Sequence, residues 1–238
     1  MRTLAHYERL ATLFDYPERD YPAQVQQVLD LLQDRYPLAA AELSTFVDAL
    51  PSDGAAFSTE ALHEVQEIFT RSFDVQSITT LGVGYVMFGD DYKRGELLVN
   101  LNREYRDAGV DCGTELSDHL PSVLRLLALW QDRELVVELV EEILYPAVEK
   151  MIAEFGSKRM EQRNKLYKKH FKTLIDSSPE RGTMFRHPLA MLVAVLKVDF
   201  DLSEREKPEQ QSDFLRSIGR ELDIEATEGR PAPSGRML

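Results

Sequence analysis

The chain has 238 residues, of which 43% are hydrophobic and 29% are charged, and its formal net charge is -13 at pH 7. The hydrophobic share is enough for a sizeable core and excludes global disorder, while the acidic excess disfavours binding to nucleic acid or anionic membranes. The single cysteine, Cys112, excludes an intramolecular disulfide and any multi-cysteine metal site.

The N-terminal residues contain no apolar run with a small-residue cleavage site, so we expect no signal peptide. No stretch approaches the ~18 uninterrupted apolar residues of a transmembrane helix. We therefore expect a cytoplasmic protein in a reducing compartment, and the negative charge favours a cationic partner.

Apolar residues at helical spacing predict helices through most of the first two hundred residues. The predicted ranges are 4–14, 23–36, 39–50, 58–73, 96–108, the segment after Asp118, 133–155, 158–175 and 189–198. Ser58 and Asp118 are predicted N-cap residues, and Pro146 should kink or split its helix. Residues 78–89 could be mistaken for a strand. No other segment alternates apolar and polar residues, so there is no predicted partner strand. We therefore interpret residues 78–89 as a loop or irregular helix.

The predicted fold is all-α, a single bundle of about eight to ten helices over residues 1–200. Residues 201–238 are acidic and polar, and they predict a partly disordered tail. Apolar residues between Phe214 and Leu222 would allow one short helix in that tail.

Several candidate sites have simpler structural interpretations. Gly82 and Gly84 lack a preceding strand and a third glycine, which favours a tight backbone turn over a nucleotide site. Glu60 and His63 form a single Glu-x-x-His, whereas a di-iron bundle needs two such pairs. The basic residues within 158–172 are typical of a solvated helix face. We therefore predict no catalytic residue, no metal site and no cofactor.

Asp118 and His119 place a carboxylate and an imidazole at the start of a helix whose body is apolar. They could be an N-cap with an incidental histidine, or a hydrolytic pair that needs a nucleophile or a metal. They could also recognise a cationic or hydrogen-bonding peptide beside apolar walls. The residue pattern alone leaves these interpretations open.

The segment Glu115-Leu-Ser-Asp-His-Leu-Pro121 resembles the Glu-Leu-Pro-Asp-His-Leu-Pro signature of the NarJ family, the nitrate reductase assembly chaperones. The wider TorD and DmsD chaperones, which mature redox enzymes, carry a similar element. Four further segments resemble family motifs in the same order: Leu-Phe-Asp-Tyr-Pro at 13–17, Phe-x-x-x-Phe-Asp at 69–74, Arg-Gly-x-x-Leu at 94–98 and Asn-x-x-Tyr-x-x-x-Phe at 164–171. Ser117 stands where the family has proline, and Phe69 where it has tyrosine.

This resemblance implies an all-helical cytoplasmic chaperone without enzymatic activity. Such a chaperone binds the N-terminal segment of the apo catalytic subunit of a molybdoenzyme, here a respiratory nitrate reductase or related oxyanion reductase. It keeps the subunit competent for molybdenum cofactor insertion before membrane docking or export. Homodimerisation is left open.

The resemblance implies that the motif binds the client peptide, with nearby aromatic and basic side chains as candidate groove residues. The predicted set is Glu115, Asp118, His119, Pro121, Phe69, Phe73, Phe88, Tyr92 and Arg94. The alternative function is a metal-dependent helical hydrolase that uses Asp118 and His119 with His63 or His170.

Overall fold

A computed structural model describes residues 3–51, 57–110, 113–156 and 181–202. Within these ranges the chain is helical and contains no β-strand, apart from one isolated antiparallel bridge between Gly82 and His119. The prediction of an all-α bundle is therefore confirmed. The basic segment 158–175 and nearly all of the predicted acidic tail lie outside the described residues.

The described helices follow one another through short connections. They are α1 (Tyr7–Ala11), α2 (Tyr21–Leu32), α3 (Pro37–Ala49), α4 (Thr59–Phe73), α5 (Val83–Phe88), α6 (Tyr92–Asp107), α7 (Leu120–Leu129), α8 (Arg133–Leu139), α9 (Tyr145–Glu154) and α10 (Arg186–Phe200). Short 3-10 turns occupy Thr12–Phe14 and Arg181–Thr183. In the part of the chain that is described, no helix has the length and apolar character needed to span a membrane.

Side-chain caps explain where several helices begin. Ser58 accepts a hydrogen bond from the backbone N–H of Ala61 at 3.1 Å, which confirms it as the N-cap of α4. Asp91 accepts from the backbone N–H of Lys93 at 3.0 Å and caps α6. Helix α6 therefore starts at Tyr92, four residues before the predicted start at Glu96.

The long helical run in the second half of the chain changes its helix type just before Pro146, where the sequence predicted a kink or a split. The run continues from α8 through a π-helical turn at Val140–Leu144 into α9, where Pro146 lies in the first turn. Proline has no N–H to donate, and its ring crowds the carbonyl one turn back. The widened turn accommodates both effects without ending the run.

Several sets of helix contacts build the core. Helix α10 packs against α3 and α9, α1 packs against α7, and α5 packs against α6 and α9. Phe185, just before α10, is fully buried, with its ring centroid 5.3 to 5.4 Å from those of Phe46, Phe69 and Phe73. This aromatic cluster joins α3 and α4 to the start of α10.

Asp199, near the end of α10, is a buried carboxylate with a 2% exposed side chain. It accepts hydrogen bonds from Arg35 Nη2 at 2.6 Å and from Tyr36 Oη at 2.8 Å, and lies 2.7 Å from His6 Nε2. Burial by itself raises the pKa of Asp199. The hydrogen bonds from His6 and Tyr36, together with the charges of His6 and Arg35, outweigh burial and lower that pKa.

We predict that Asp199→Ala lowers the free energy of unfolding by about 2 kcal/mol at pH 7, because its donors lose a buried acceptor. A carboxyl group whose pKa is lowered by folding stabilises the fold above its unfolded pKa of about 3.9. That contribution is lost as the pH falls through the lower folded value. The difference between variant and wild type in urea denaturation should therefore shrink below about pH 4.

Asp34→Ala is the matched control, because Asp34 is exposed and adjoins Arg35 in sequence. It should change the free energy of unfolding by less than about 0.5 kcal/mol. Equal losses in the two variants would show that the Asp199 contacts contribute nothing specific.

Candidate functional site

The Asp118 segment is held against the chain that leads into α5. The backbone N–H of Val83 donates to the carbonyl of Asp118 at 2.9 Å, and the N–H of Leu120 donates to the carbonyl of Leu81 at 2.8 Å. These two bonds form the isolated bridge between Gly82 and His119. They fix the backbone on both sides of the Asp118 side chain.

The prediction that Asp118 caps the following helix was wrong. Helix α7 begins at Leu120, with His119 as its N-cap residue and no side-chain cap. A capping Asp118 would accept from the N–H of Leu120 or of residue 121. Leu120 already donates to Leu81, and Pro121, buried in the first turn of α7, has no N–H.

The Asp118 carboxylate is instead paired with Arg94 of α6. Asp118 is 1% exposed, and its Oδ2 accepts from Arg94 Nε at 2.9 Å, while its Oδ1 accepts from Nη2 at 3.4 Å. The Arg94 guanidinium also lies over the ring of Tyr85, with Cζ 5.1 Å from the ring centroid. A two-pronged, charge-assisted pair compensates the burial of a carboxylate well.

Gly84 makes this pairing possible. A Cβ added at Gly84 would lie 2.8 Å from Asp118 Oδ2 and 2.9 Å from Leu97 Cδ2, so a side chain there would displace the ion pair. At Gly82 an added Cβ would meet nothing closer than 3.4 Å. Gly84 therefore marks a close approach of α5 to the Asp118 segment.

Ser117 anchors the same segment to α6. Its hydroxyl donates to the carbonyl of Leu98 at 3.1 Å, and the hydroxyl of Tyr105 donates to the carbonyl of Ser117 at 3.3 Å. Ser117 is buried, so the hydroxyl needs such a partner. A proline, which stands at this place in the NarJ family, could not make the first contact.

His119 is half-buried just before α7, close enough to Asp15 and Arg125 for their charges to affect it. Burial lowers the pKa of His119 and outweighs the charges of Glu115, Asp15 and Asp118, which raise it; Arg125 lowers it further. The imidazole is therefore neutral at pH 7. Asp15 also forms a close ion pair with Arg125 of α7.

Tyr16 supplies an exposed aromatic ring beside Asp15, and sequence reasoning did not include it among the site residues. It is 54% exposed and stands edge-on against Phe69, with ring centroids 5.7 Å apart. We group it with half-buried His119, Asp15 and Arg125 as the Tyr16 surface, because Asp15 precedes it in the chain, pairs with Arg125 and affects the pKa of His119. The signal for Tyr16 was present in the Leu-Phe-Asp-Tyr-Pro segment at 13–17. That segment served as evidence of family resemblance, and its tyrosine was not considered as a binding residue.

The structure places the other predicted site residues in different surroundings. Phe69 and Phe73 are buried in the aromatic cluster with Phe185. Tyr92 is exposed at the start of α6, the helix that carries Arg94. Phe88 is half-buried at the end of α5, the helix that carries Tyr85. Glu115 is exposed in the turn before Ser117.

The arrangement around Asp118 bears on the hydrolase alternative. Both oxygens of the Asp118 carboxylate accept from Arg94, so this group is not free to act as a base. Among the described residues, no three His, Cys, Asp or Glu side chains are placed to hold a metal ion together. His63 is exposed on α4, and His170 lies outside the described ranges.

Comparison of the chain with models of protein families gave no match, and neither did a search of curated proteins. Membership of the NarJ family therefore stays a prediction that depends on the five resembling segments. Four of these lie in the described residues. Contacts join them in two pairs, one through Tyr16 and Phe69 and the other through Arg94 and Asp118.

We expect Gly84→Ala to lower the free energy of unfolding by about 1 to 3 kcal/mol, because the new methyl group displaces the ion pair of Asp118 and the side chain of Leu97. Urea denaturation at pH 7 measures this loss. Gly82→Ala, two residues earlier, should leave stability unchanged within about 0.5 kcal/mol or raise it slightly. If both variants lose the same free energy, close packing at Gly84 is not the cause.

An NMR titration of the His119 ring should give a midpoint below the ordinary value of about 6.5. Between the folded and unfolded pKa values, the unfolded chain binds the proton more readily. Stability should therefore fall as the pH falls through that window. His119→Gln should flatten this part of the stability curve, and a midpoint at or above 6.5 would contradict the assigned burial.

Proposed function

We propose that this protein is a cytoplasmic chaperone dedicated to one molybdoenzyme. It would bind the N-terminal segment of the apo catalytic subunit, with a respiratory nitrate reductase or a related oxyanion reductase as the client. Binding would keep the subunit competent for molybdenum cofactor insertion before membrane docking or export. The protein itself would catalyse no reaction.

The observation that carries this proposal is the buried pair of Asp118 and Arg94. Both residues belong to segments that resemble the NarJ family, they are 24 positions apart, and they meet at 2.9 Å. A second pair of resembling segments meets through Tyr16 and Phe69. Segments that are far apart along the chain thus meet in pairs in the fold, which favours a shared role over chance likeness.

In this proposal Asp118 is a positioning residue and does not touch the client. Its carboxylate is buried and already engaged by Arg94, so a peptide could reach it only by breaking the pair. The pair and the bridge to Leu81 instead hold His119 at the start of α7. Peptide contact is assigned to His119 and to the exposed residues around it.

The chemistry of the Tyr16 surface suits a client leader that is both apolar and cationic. The Tyr16 ring offers an aromatic face, the neutral His119 imidazole can donate or accept one hydrogen bond, and Asp15 and Glu115 add negative charge. An arginine or lysine of the leader would share Asp15 with Arg125. A chaperone must also release its client, which favours affinity nearer about 1 µM than about 1 nM.

Isothermal titration with a synthetic peptide tests this function. The peptide covers the N-terminal segment of the molybdoenzyme catalytic subunit from the same organism. Wild-type protein should bind it, and Tyr16→Ala and His119→Ala should each weaken binding about tenfold, since each removes a side chain assigned to peptide contact. His63→Ala, an exposed histidine on α4 outside the site, is the control and should bind like wild type.

Two outcomes would contradict different parts of the proposal. If wild-type protein binds no segment of the subunit, the chaperone function fails. If binding is intact in both the Tyr16 and His119 variants, the function stands but the peptide lies elsewhere.

A further inference from the structure

Two ion pairs between an aspartate and an arginine lie near His119, and they differ in their access to water. The side chain of Asp118 is 1% exposed, so its pair with Arg94 is closed to a peptide. The side chain of Asp15 is 39% exposed, and that of Arg125, which donates to it through Nη2, is 33% exposed. Exposed ion pairs contribute little to stability, whereas breaking a buried one strongly destabilises a protein. Asp15 is therefore the carboxylate that an incoming cation can reach.

Arg125 can leave Asp15 without moving the backbone. It is the one charged residue of α7, and its neighbours Leu124 and Leu126 are buried. An arginine on an apolar helix keeps its aliphatic stem against apolar surface and its guanidinium in water. Rotation about the side-chain bonds can carry the guanidinium off Asp15 while α7 stays in place.

Arg125 also reduces the attraction that a cation would meet near His119. Burial is the largest cause that lowers the pKa of His119, and the charge of Arg125 lowers it further. Three carboxylates raise that pKa, namely those of Glu115, Asp15 and Asp118. The same four charges act on any cation that approaches His119. Arg125 neutralises one of the carboxylates and repels the cation, so the surface attracts a cationic segment less than it would without Arg125.

We propose that Arg125 is an internal competitor of the client: a lysine or arginine of the client leader displaces it from Asp15. This inference rests on the proposed function and adds a means of regulating it. In the free protein Arg125 occupies Asp15, and in the complex the cation of the client occupies it. When the client leaves, Arg125 returns and neutralises the carboxylate again.

The exchange accounts for both release and selectivity. Since one ion pair replaces another, the net gain at Asp15 is small, which limits the affinity and allows release. A segment without a cation gains nothing at Asp15, because Arg125 already holds it. Cationic segments are therefore preferred even though their affinity stays moderate.

Isothermal titration of the full chain with two peptides tests the exchange. The first peptide is the N-terminal segment of the molybdoenzyme catalytic subunit from the same organism, and in the second every lysine and arginine is replaced by glutamine. Arg125→Gln should bind the first peptide about fivefold more tightly than wild type does, which corresponds to about 1 kcal/mol. It should bind the second peptide no more tightly than wild type does. Lys150→Gln, which removes an equal charge from an exposed position on α9, is the control and should leave both affinities unchanged.

A double-mutant cycle assigns the effect to Asp15. Asp15→Asn should weaken binding of the first peptide, because the cation of the client loses its carboxylate. In the Asp15→Asn background, Arg125→Gln should no longer strengthen binding. Added salt should reduce the gain that Arg125→Gln gives in the wild-type background. Urea denaturation should show that every variant folds, since the pair is exposed.

An NMR titration of the His119 ring gives a readout without any peptide. In Arg125→Gln the midpoint should lie above that of wild type, because a positive charge that lowers this pKa is removed. An unchanged midpoint would overturn the inference, since Arg125 would then not act on the site.

The binding outcomes separate the exchange from the proposed function. If wild type binds the first peptide and Arg125→Gln binds it equally or more weakly, the exchange is overturned and the proposed function stands. A gain that persists with the glutamine peptide, or in the Asp15→Asn background, would also overturn the exchange alone. If neither wild type nor Arg125→Gln binds the first peptide, the proposed function and the exchange both fail.

Discussion

The burial of one carboxylate determines the arrangement of the candidate site. Asp118 has almost no contact with water, and an unpaired carboxylate in that place would be strongly unfavourable. Among the described residues Arg94 is its ion-pair partner, so α6 must lie close enough for the guanidinium to reach. That arrangement in turn requires a residue without a side chain at Gly84, where α5 lies directly against the pair. Removing either partner of such a pair typically destabilises a protein by about 3 to 5 kcal/mol.

Asp118 and Asp199 are both buried carboxylates that need compensating donors, and each obtains them in a different way. Asp118 depends on a single guanidinium, whereas Asp199 is held by an arginine, a tyrosine hydroxyl and a histidine from two other parts of the chain. Both carboxylates lie at the end of a helix or in the turn before one, where they join elements distant in sequence. Apolar contacts fill the interior between these two polar junctions. The junctions select which helix ends come together, while the apolar contacts provide most of the burial.

The sequence predicted the features that depend on local chemistry. The all-α fold, the cap at Ser58 and the irregularity beside Pro146 follow from residues within one or two helical turns. The structure has the first two, and it has a π-helical turn before Pro146. The role of Asp118 could not be predicted in this way. The backbone N–H of Leu120, which Asp118 could have capped, donates to Leu81 instead. The ion-pair partner Arg94 is 24 residues away, so the tertiary fold decides whether Asp118 caps a helix or forms an ion pair.

Local sequence patterns could not predict the exposed residues of the candidate site either. Sequence reasoning chose aromatic residues by their nearness to the motif along the chain. The structure buries Phe69 and Phe73 in the core and exposes Tyr16. Whether an aromatic ring is exposed depends on which helices cover it, and Phe185, more than a hundred positions away, covers two of them. A local pattern contains no information about such a neighbour.

The bridge between Gly82 and His119 has a consequence for how the chain could evolve. Its two hydrogen bonds hold the start of α5 and the start of α7 side by side. The chain between these two points is therefore a closed loop whose ends are fixed. Lengthening such a closed loop adds little entropy penalty, about 0.6 kcal/mol for each doubling. Insertions after α6 could therefore accumulate without changing the register of α7, while the spacing from Leu81 to Val83 and from Asp118 to Leu120 would stay fixed.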